Sequence, residues 1–302
     1  MISNDLDLLA VLPSWELALD GAHRSAKTIA AYFDSVSRLA AYLARERLTL
    51  GAPAIRSFLI AERQRTSPES AQKHYRHLHA FFGWMEREGD LIAVSPMRKV
   101  EKPKVGEKAK PFFTEDDILA LLRVTKGDNF ESRRDHAIIR VFIDTGVRVG
   151  GLADLRFEPP DVSLPQRRML ITLKGGNQHW VPLGSKACVA IDRYLRVRAR
   201  HSRPGSPWLW LGTRGHDIDH FGASGIRQML ARRGEKAGVD DCHPHRFRHT
   251  FSDAWLANGG NVDDLMNIAG WSSITMPLRY AKGRGTARAA EAHRRLSPGD
   301  RL

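Results

Sequence analysis

Cysteine is nearly missing from this chain. Its 302 residues hold two, Cys188 and Cys242, too few for a disulfide framework and consistent with a reducing cytosol. Long apolar runs are missing too, and no stretch approaches the roughly 20 residues of a membrane helix. The start, Met1-Ile2-Ser3-Asn4-Asp5, lacks the basic residues that open a secretory signal. These absences predict a cytoplasmic protein with no membrane partner. Acidic charge is in deficit: 34 Asp and Glu face 47 Lys and Arg, a net charge of +13. Such a surplus suits a polyanion, because each neutralised phosphate releases condensed counterions. No internal repeat and no long low-complexity tract is present. With hydrophobic residues at 42%, ordinary packed cores are expected and disorder is excluded.

What is present divides the chain into three parts. Residues 1–100 predict a small all-helical bundle. Ile29, Tyr32, Phe33, Val36, Leu39, Ala40 and Leu43 recur at helical spacing between about Ser25 and Arg47. Pro53 opens a second helix. Ser67 caps a third with Pro68 in its first turn, and Gly89 ends it. Residues 101–111 read as a basic linker, with Pro103, Gly106 and Pro111 breaking regular structure among lysines. Residues 112–302 predict a second, mostly helical domain. Thr114 and Asp117 form a capping box. Alternation through Met169, Ile171 and Leu173, then Trp180, Val181 and Leu183, predicts a β-hairpin turning at Lys174-Gly175-Gly176-Asn177. Helices return over about 187–200, 225–238, 246–258 and 262–269. The fold class is therefore mainly α, with a helical bundle followed by a mixed α/β, mostly helical domain carrying a small antiparallel sheet.

Several cationic residues carry chemistry only in combination. Lys174 sits at a glycine-flanked turn, where the backbone can approach a duplex closely. Arg148 follows Thr145-Gly146-Val147 at a helix end. His245 and Arg248, three apart at a helix start, share a face and can grip one anion. An arginine fork matches two phosphate oxygens. Cys242, His243 and His245 are too close together for a zinc site and have no second Cys/His pair. Lys27, Lys73 and Arg76 on the N-terminal helices, and Arg227 on a later one, are candidate DNA-binding residues on polar faces.

The ordered set resembles the tyrosine recombinase (phage integrase) family. Thr145-Gly146-Val147-Arg148 is similar to its first arginine box, Leu173-Lys174-Gly175-Gly176 through Leu183 to its lysine hairpin, and His243-Pro244-His245-Arg246-Phe247-Arg248-His249-Thr250-Phe251 to its second box. Gly270-Trp271-Ser272-Ser273 and Tyr280 are similar to the third. The stretch from Thr28 to Pro96 resembles the family's SAM-like core DNA-binding domain. Two departures stand out: the family's usual glutamate after the first arginine reads Gly151, and Trp271 replaces the commoner histidine.

The resemblance implies a site-specific recombinase of the Xer/integrase kind, serving integration, excision or resolution of DNA. Tyr280 is then the nucleophile and forms a 3′-phosphotyrosine. Arg148 and Arg248 hold the non-bridging oxygens, Lys174 protonates the leaving 5′-oxygen, His245 moves a proton, and Trp271 packs on or donates to the phosphate. No metal or other cofactor is implied, since the arginines supply the charge. The partners implied are double-stranded DNA and other protomers, as a tetramer on two sites. The tail through Ala287, Ala289, Ala290, Ala292 and Leu296 is expected to be a helix exchanged between protomers. A non-catalytic DNA-binding regulator on the same scaffold and a type IB topoisomerase-like enzyme are the alternatives.

Overall fold

A computed structural model describes residues 7–89, 91–106, 112–173, 176–213, 215, 218–271 and 273–275, and beyond them residues 290, 293–294, 297 and 299–301. Backbone contacts divide the chain into two compact units, Met1–Lys108 and Ala109–Leu302.

Among its described residues the first unit has four helices: α1 (Leu12–Gly21), α2 (Ala26–Glu46), α3 (Ala52–Arg65) and α4 (Pro68–Glu88), followed by a short 3₁₀ turn, Pro96–Lys99. The expected cap of α4 is present, and α2 carries one as well. Ser25 accepts from the Thr28 N–H, and Ser67 accepts from Ser70 N–H with Pro68 opening α4. Gly89 closes α4 at φ 82°, a conformation that favours glycine. The α1 helix was not expected. Its proline at the first turn and weak periodicity read poorly as a sequence, yet it supplies Trp15, the hub of the core. The Trp15 ring stacks on Tyr32 and Trp84 and tilts against Phe81 at 4.9 Å. A polar knot lies beneath. The Ser35 hydroxyl, fully buried, bonds both His77 Nδ1 (2.7 Å) and His74 Nδ1 (2.9 Å), and His74 Nε2 lies 3.5 Å from Glu62. Burial pushes the His77 imidazole down to about 4, helped by the nearby Lys73 charge.

The second unit contains α5 (Glu115–Val124), α6 (Phe130–Thr145), α7 (Val149–Ala153), β1 (Val162–Ser163), β2 (Arg168–Thr172), β3 (Gln178–Pro182), α8 (Ser185–Arg198), α9 (Ala223–Ala237), α10 (Pro244–Ala257) and α11 (Val262–Ala269). The capping box at Thr114 and Asp117 forms in both directions. The predicted hairpin is β2–β3, antiparallel with Ile171 opposite His179 and Leu170 opposite Trp180; β1 adds a third strand beside β2. Helix α6 runs through the core, with Ile138, Ile139, Val141 and Phe142 shut from solvent and Phe142 stacked on Phe247 of α10. A buried carboxylate fastens α6 to α9: Asp135 accepts two bonds from Arg134 and two from Arg233. Each oxygen is bidentate to one guanidinium, so the desolvated charge is fully compensated. Among the described residues no helix is long and apolar enough to cross a membrane.

Candidate active site

The groove begins at a glycine. Helix α6 ends at Gly146, whose φ of 55° favours glycine. A Cβ there would also fall 2.8 Å from Phe251 of α10. The close approach brings α10 against the turn, and the Gly146 carbonyl accepts from Arg248 Nη1 at 2.9 Å. Two residues later Arg148 occupies the N-cap of α7, exposed, with Nη1 on the carbonyl of Gly270 at 3.0 Å. The arginine therefore belongs to the start of a short helix as well as to the end of a long one.

Arg248 lies deeper. It is 4% exposed, gives Nη2 to the Ala269 carbonyl at 2.6 Å, and its guanidinium stands 4.6 Å from the Trp271 ring centroid. The two arginines thus converge on one piece of backbone, the C-terminal end of α11, from opposite directions in sequence. Gly270 caps α11 at φ 61°, with Leu173 and His179 packed where a side chain would go. His245 stands one turn before Arg248 and is exposed. Arg148, His245, Arg248 and Trp271 line one groove of about 1310 Å³, walled on one side by β2 and β3. Three chain segments more than twenty residues apart meet there around a strongly cationic floor.

Lys174 and Tyr280 lie outside the described residues, as does the tail helix expected around Ala287–Leu296 apart from isolated positions. Of the DNA-binding candidates, Lys27 is on α2, Lys73 and Arg76 are on α4, and Arg227 is on α9. Lys27, Arg76 and Arg227 are exposed and Lys73 is half-buried. None of the four lines the groove.

Other groove residues escape sequence reasoning. Both ring nitrogens of His179 are buried without a hydrogen-bond partner among the described residues. Only its place opposite Ile171 in an alternating strand hinted that it faces inward. At the rim, Arg156, Trp208 and His220 form a stack, with the Trp208 and His220 rings 4.1 Å apart, and Arg168 covers Trp180 at 4.0 Å. These pairs join residues up to 52 positions apart and leave no local signal. At Gly151 a Cβ would meet Ile171 Cγ2 at 2.6 Å. The departure from glutamate is thus accompanied by an isoleucine occupying the adjoining space.

Residues 111–285 match the model of the Phage integrase family. The chain is 27% identical over 263 residues to Tyrosine recombinase XerC of Staphylococcus carnosus, covering 85% of this chain and 86% of that protein. It is 29% identical over 210 residues to Tyrosine recombinase XerC of Thermodesulfovibrio yellowstonii, covering 67% of each. In fold it is similar to the Tn1549 transposon integrase in complex with transposon right end DNA, with a TM-score of 0.73 and 18% identity over 97% of this chain and all of that one. It is also similar to a lambda integrase dimer bound to a COC′ core site, with a TM-score of 0.72 and 17% identity over 93% of this chain and 79% of that one.

Proposed function

The chain belongs to the phage integrase family, and from that membership we propose a site-specific DNA recombinase that cuts and rejoins strands through Tyr280. The observation that carries the reading is the convergence of Arg148, His245, Arg248 and Trp271 on one groove. A free phenol has a pKa of about 10 and is mostly protonated at neutral pH. Its attack therefore needs a base and a field of positive charge. His245 takes the phenol proton as the Tyr280 oxygen bonds to phosphorus. Arg148 and Arg248 stabilise the extra negative charge on the non-bridging oxygens, the kind of preorganised electrostatics that contributes most to such reactions. The bond from phosphorus to the 5′-oxygen breaks, and Lys174 supplies the proton to that leaving oxygen. A 3′-phosphotyrosine and a free 5′-hydroxyl result. Attack by a second 5′-hydroxyl reverses the steps and reseals the strand with no external energy source.

The floor explains why rigidity matters. Both arginines are held on carbonyls of α11, so they are oriented before DNA arrives and little reorganisation remains. The protein works in the cytoplasm on double-stranded DNA, as a tetramer on two sites with the C-terminal tail passed between protomers. A covalent-trapping assay with a nicked suicide substrate tests the chemistry. The wild-type chain yields a covalent protein–DNA adduct, with or without EDTA, and Tyr280→Phe yields none. An adduct from Tyr280→Phe, or its absence from wild type, rejects the assignment. A regulator without catalysis would bind the duplex and leave no adduct.

A further inference from the structure

Helix α10 has two working faces, and only one looks into the groove. His245 and Arg248 line the groove. Arg246, between them, points elsewhere and is 9% exposed. Its guanidinium lies over the Phe113 ring at 4.1 Å, donates through Nη2 to the Phe112 carbonyl at 3.0 Å and reaches Asp117 at 3.3 Å. Nη1 donates to the Asp240 carbonyl. One turn on, Thr250 accepts from the Phe113 N–H at 2.9 Å and donates its own proton to the Arg246 carbonyl. Phe113 also packs on Phe247, their ring centroids 4.6 Å apart. Residues 112 and 113 are thus gripped at the Phe112 carbonyl, the Phe113 N–H and the Phe113 ring, all by side chains of α10. They are the first described residues after the basic linker.

We propose that Arg246 and Thr250 are positioning residues that fasten the incoming chain to α10, so that the hold on the linker's exit sets where His245 and Arg248 stand. This rests on the cleavage reaction assigned above. The leverage acts over a short span. Arg246 adjoins His245, and a displacement of the first turn of α10 moves His245 directly and Arg248 with it. A misplacement of about 1 Å at a reacting centre can cost on the order of 100-fold in rate. The grip is also specific in its bonds. A lysine at 246 could pair with Asp117 but could not reproduce the planar fork that bonds two carbonyls while covering Phe113. Valine at 250 keeps the shape of threonine and loses both the acceptor for Phe113 and the donor to Arg246.

Three measurements on the full chain test it: duplex affinity, single-turnover cleavage of the suicide substrate at saturating DNA, and thermal melting. Arg246→Met and Thr250→Val each slow cleavage about tenfold or more, with affinity within about threefold of wild type and the protein folded at the assay temperature. Thr250→Ser restores the rate. The double variant is no slower than the worse single one, because both break one fastening. Cleavage at the wild-type rate in Thr250→Val overturns the proposal, even where Arg246→Met fails to fold. So does a loss of rate matched by an equal loss of affinity, or fully additive losses in the double variant. Failure of wild type to cleave would instead reject the function assigned above.

Discussion

The core of the first unit and the floor of the groove are held by different forces. Around Trp15, aromatic faces meet at 4.9 to 6.2 Å, and the attraction is spread over many contacts. Around Arg248, two guanidinium nitrogens meet two carbonyls, and the arrangement depends on direction. A packed core yields gradually when one group is trimmed. A directional floor loses its geometry at once, because the abandoned carbonyls and the missing charge are not replaced by neighbours. The groove should therefore fail in function before the unit fails in folding.

Replacing the floor arginines is the sharpest way to break that contrast. Arg148→Ala and Arg248→Ala should each lower single-turnover cleavage on the order of 100-fold or more. Only Arg248→Ala should also lower the melting temperature, since Arg148 is exposed. Equal melting for both variants would contradict the view of Arg248 as a fastened residue. Next in size is a pair of stability tests. Asp135→Asn strips the charge shared by Arg134 and Arg233 and should cost the second unit about 3–5 kcal/mol. Trp15→Ala should cost the first unit a similar ~3–5 kcal/mol. Hydrogen exchange read by peptide segments should find each loss confined to its own unit, and spread of either loss into the other unit would end the comparison.

Acid gives a smaller effect. His77 in the first unit and His136 in the second are both held down to about 4, chiefly by burial; Lys73 adds to it at His77, and Arg140, Arg133 and Arg193 at His136. Between about 6.5 and 4 the unfolded chain binds protons that the folded chain refuses. The stability these groups contribute is full above pH 6.5 and is lost as pH falls through that window. Melting temperatures followed from pH 7 to pH 4 should fall. His77→Asn should flatten the fall for the first unit and leave the second unchanged. Smallest is Ser67→Ala, which removes the cap of α4 and should cost about 1 kcal/mol by denaturant unfolding.

These same forces decide what could be read from the sequence. Helix α2 and the hairpin were legible because each buries one face at a fixed period. The caps Ser67 and Thr114 were legible because their partners lie three residues away. Helix α1 escaped, since its role comes from Trp15 meeting α2 and α4 and from no pattern of its own. In the groove, residue types and order suggested Arg148, His245, Arg248 and Trp271 as a set. The carbonyls that hold them could not be anticipated, because every backbone has carbonyls and only the folded path selects Gly146, Ala269 and Gly270. Arg246 was passed over for the opposite reason: it sits inside the recognisable box yet turns away from it.

Position 151 is constrained by its neighbour across the groove wall. Ile171 is branched at Cβ and stiff, and its methyl already sits where the first carbon of any larger residue at 151 would have to go. A glutamate at 151 is sterically closed while isoleucine stands at 171. The two positions, on α7 and β2, are sterically coupled, so a side chain at 151 requires a smaller residue at 171.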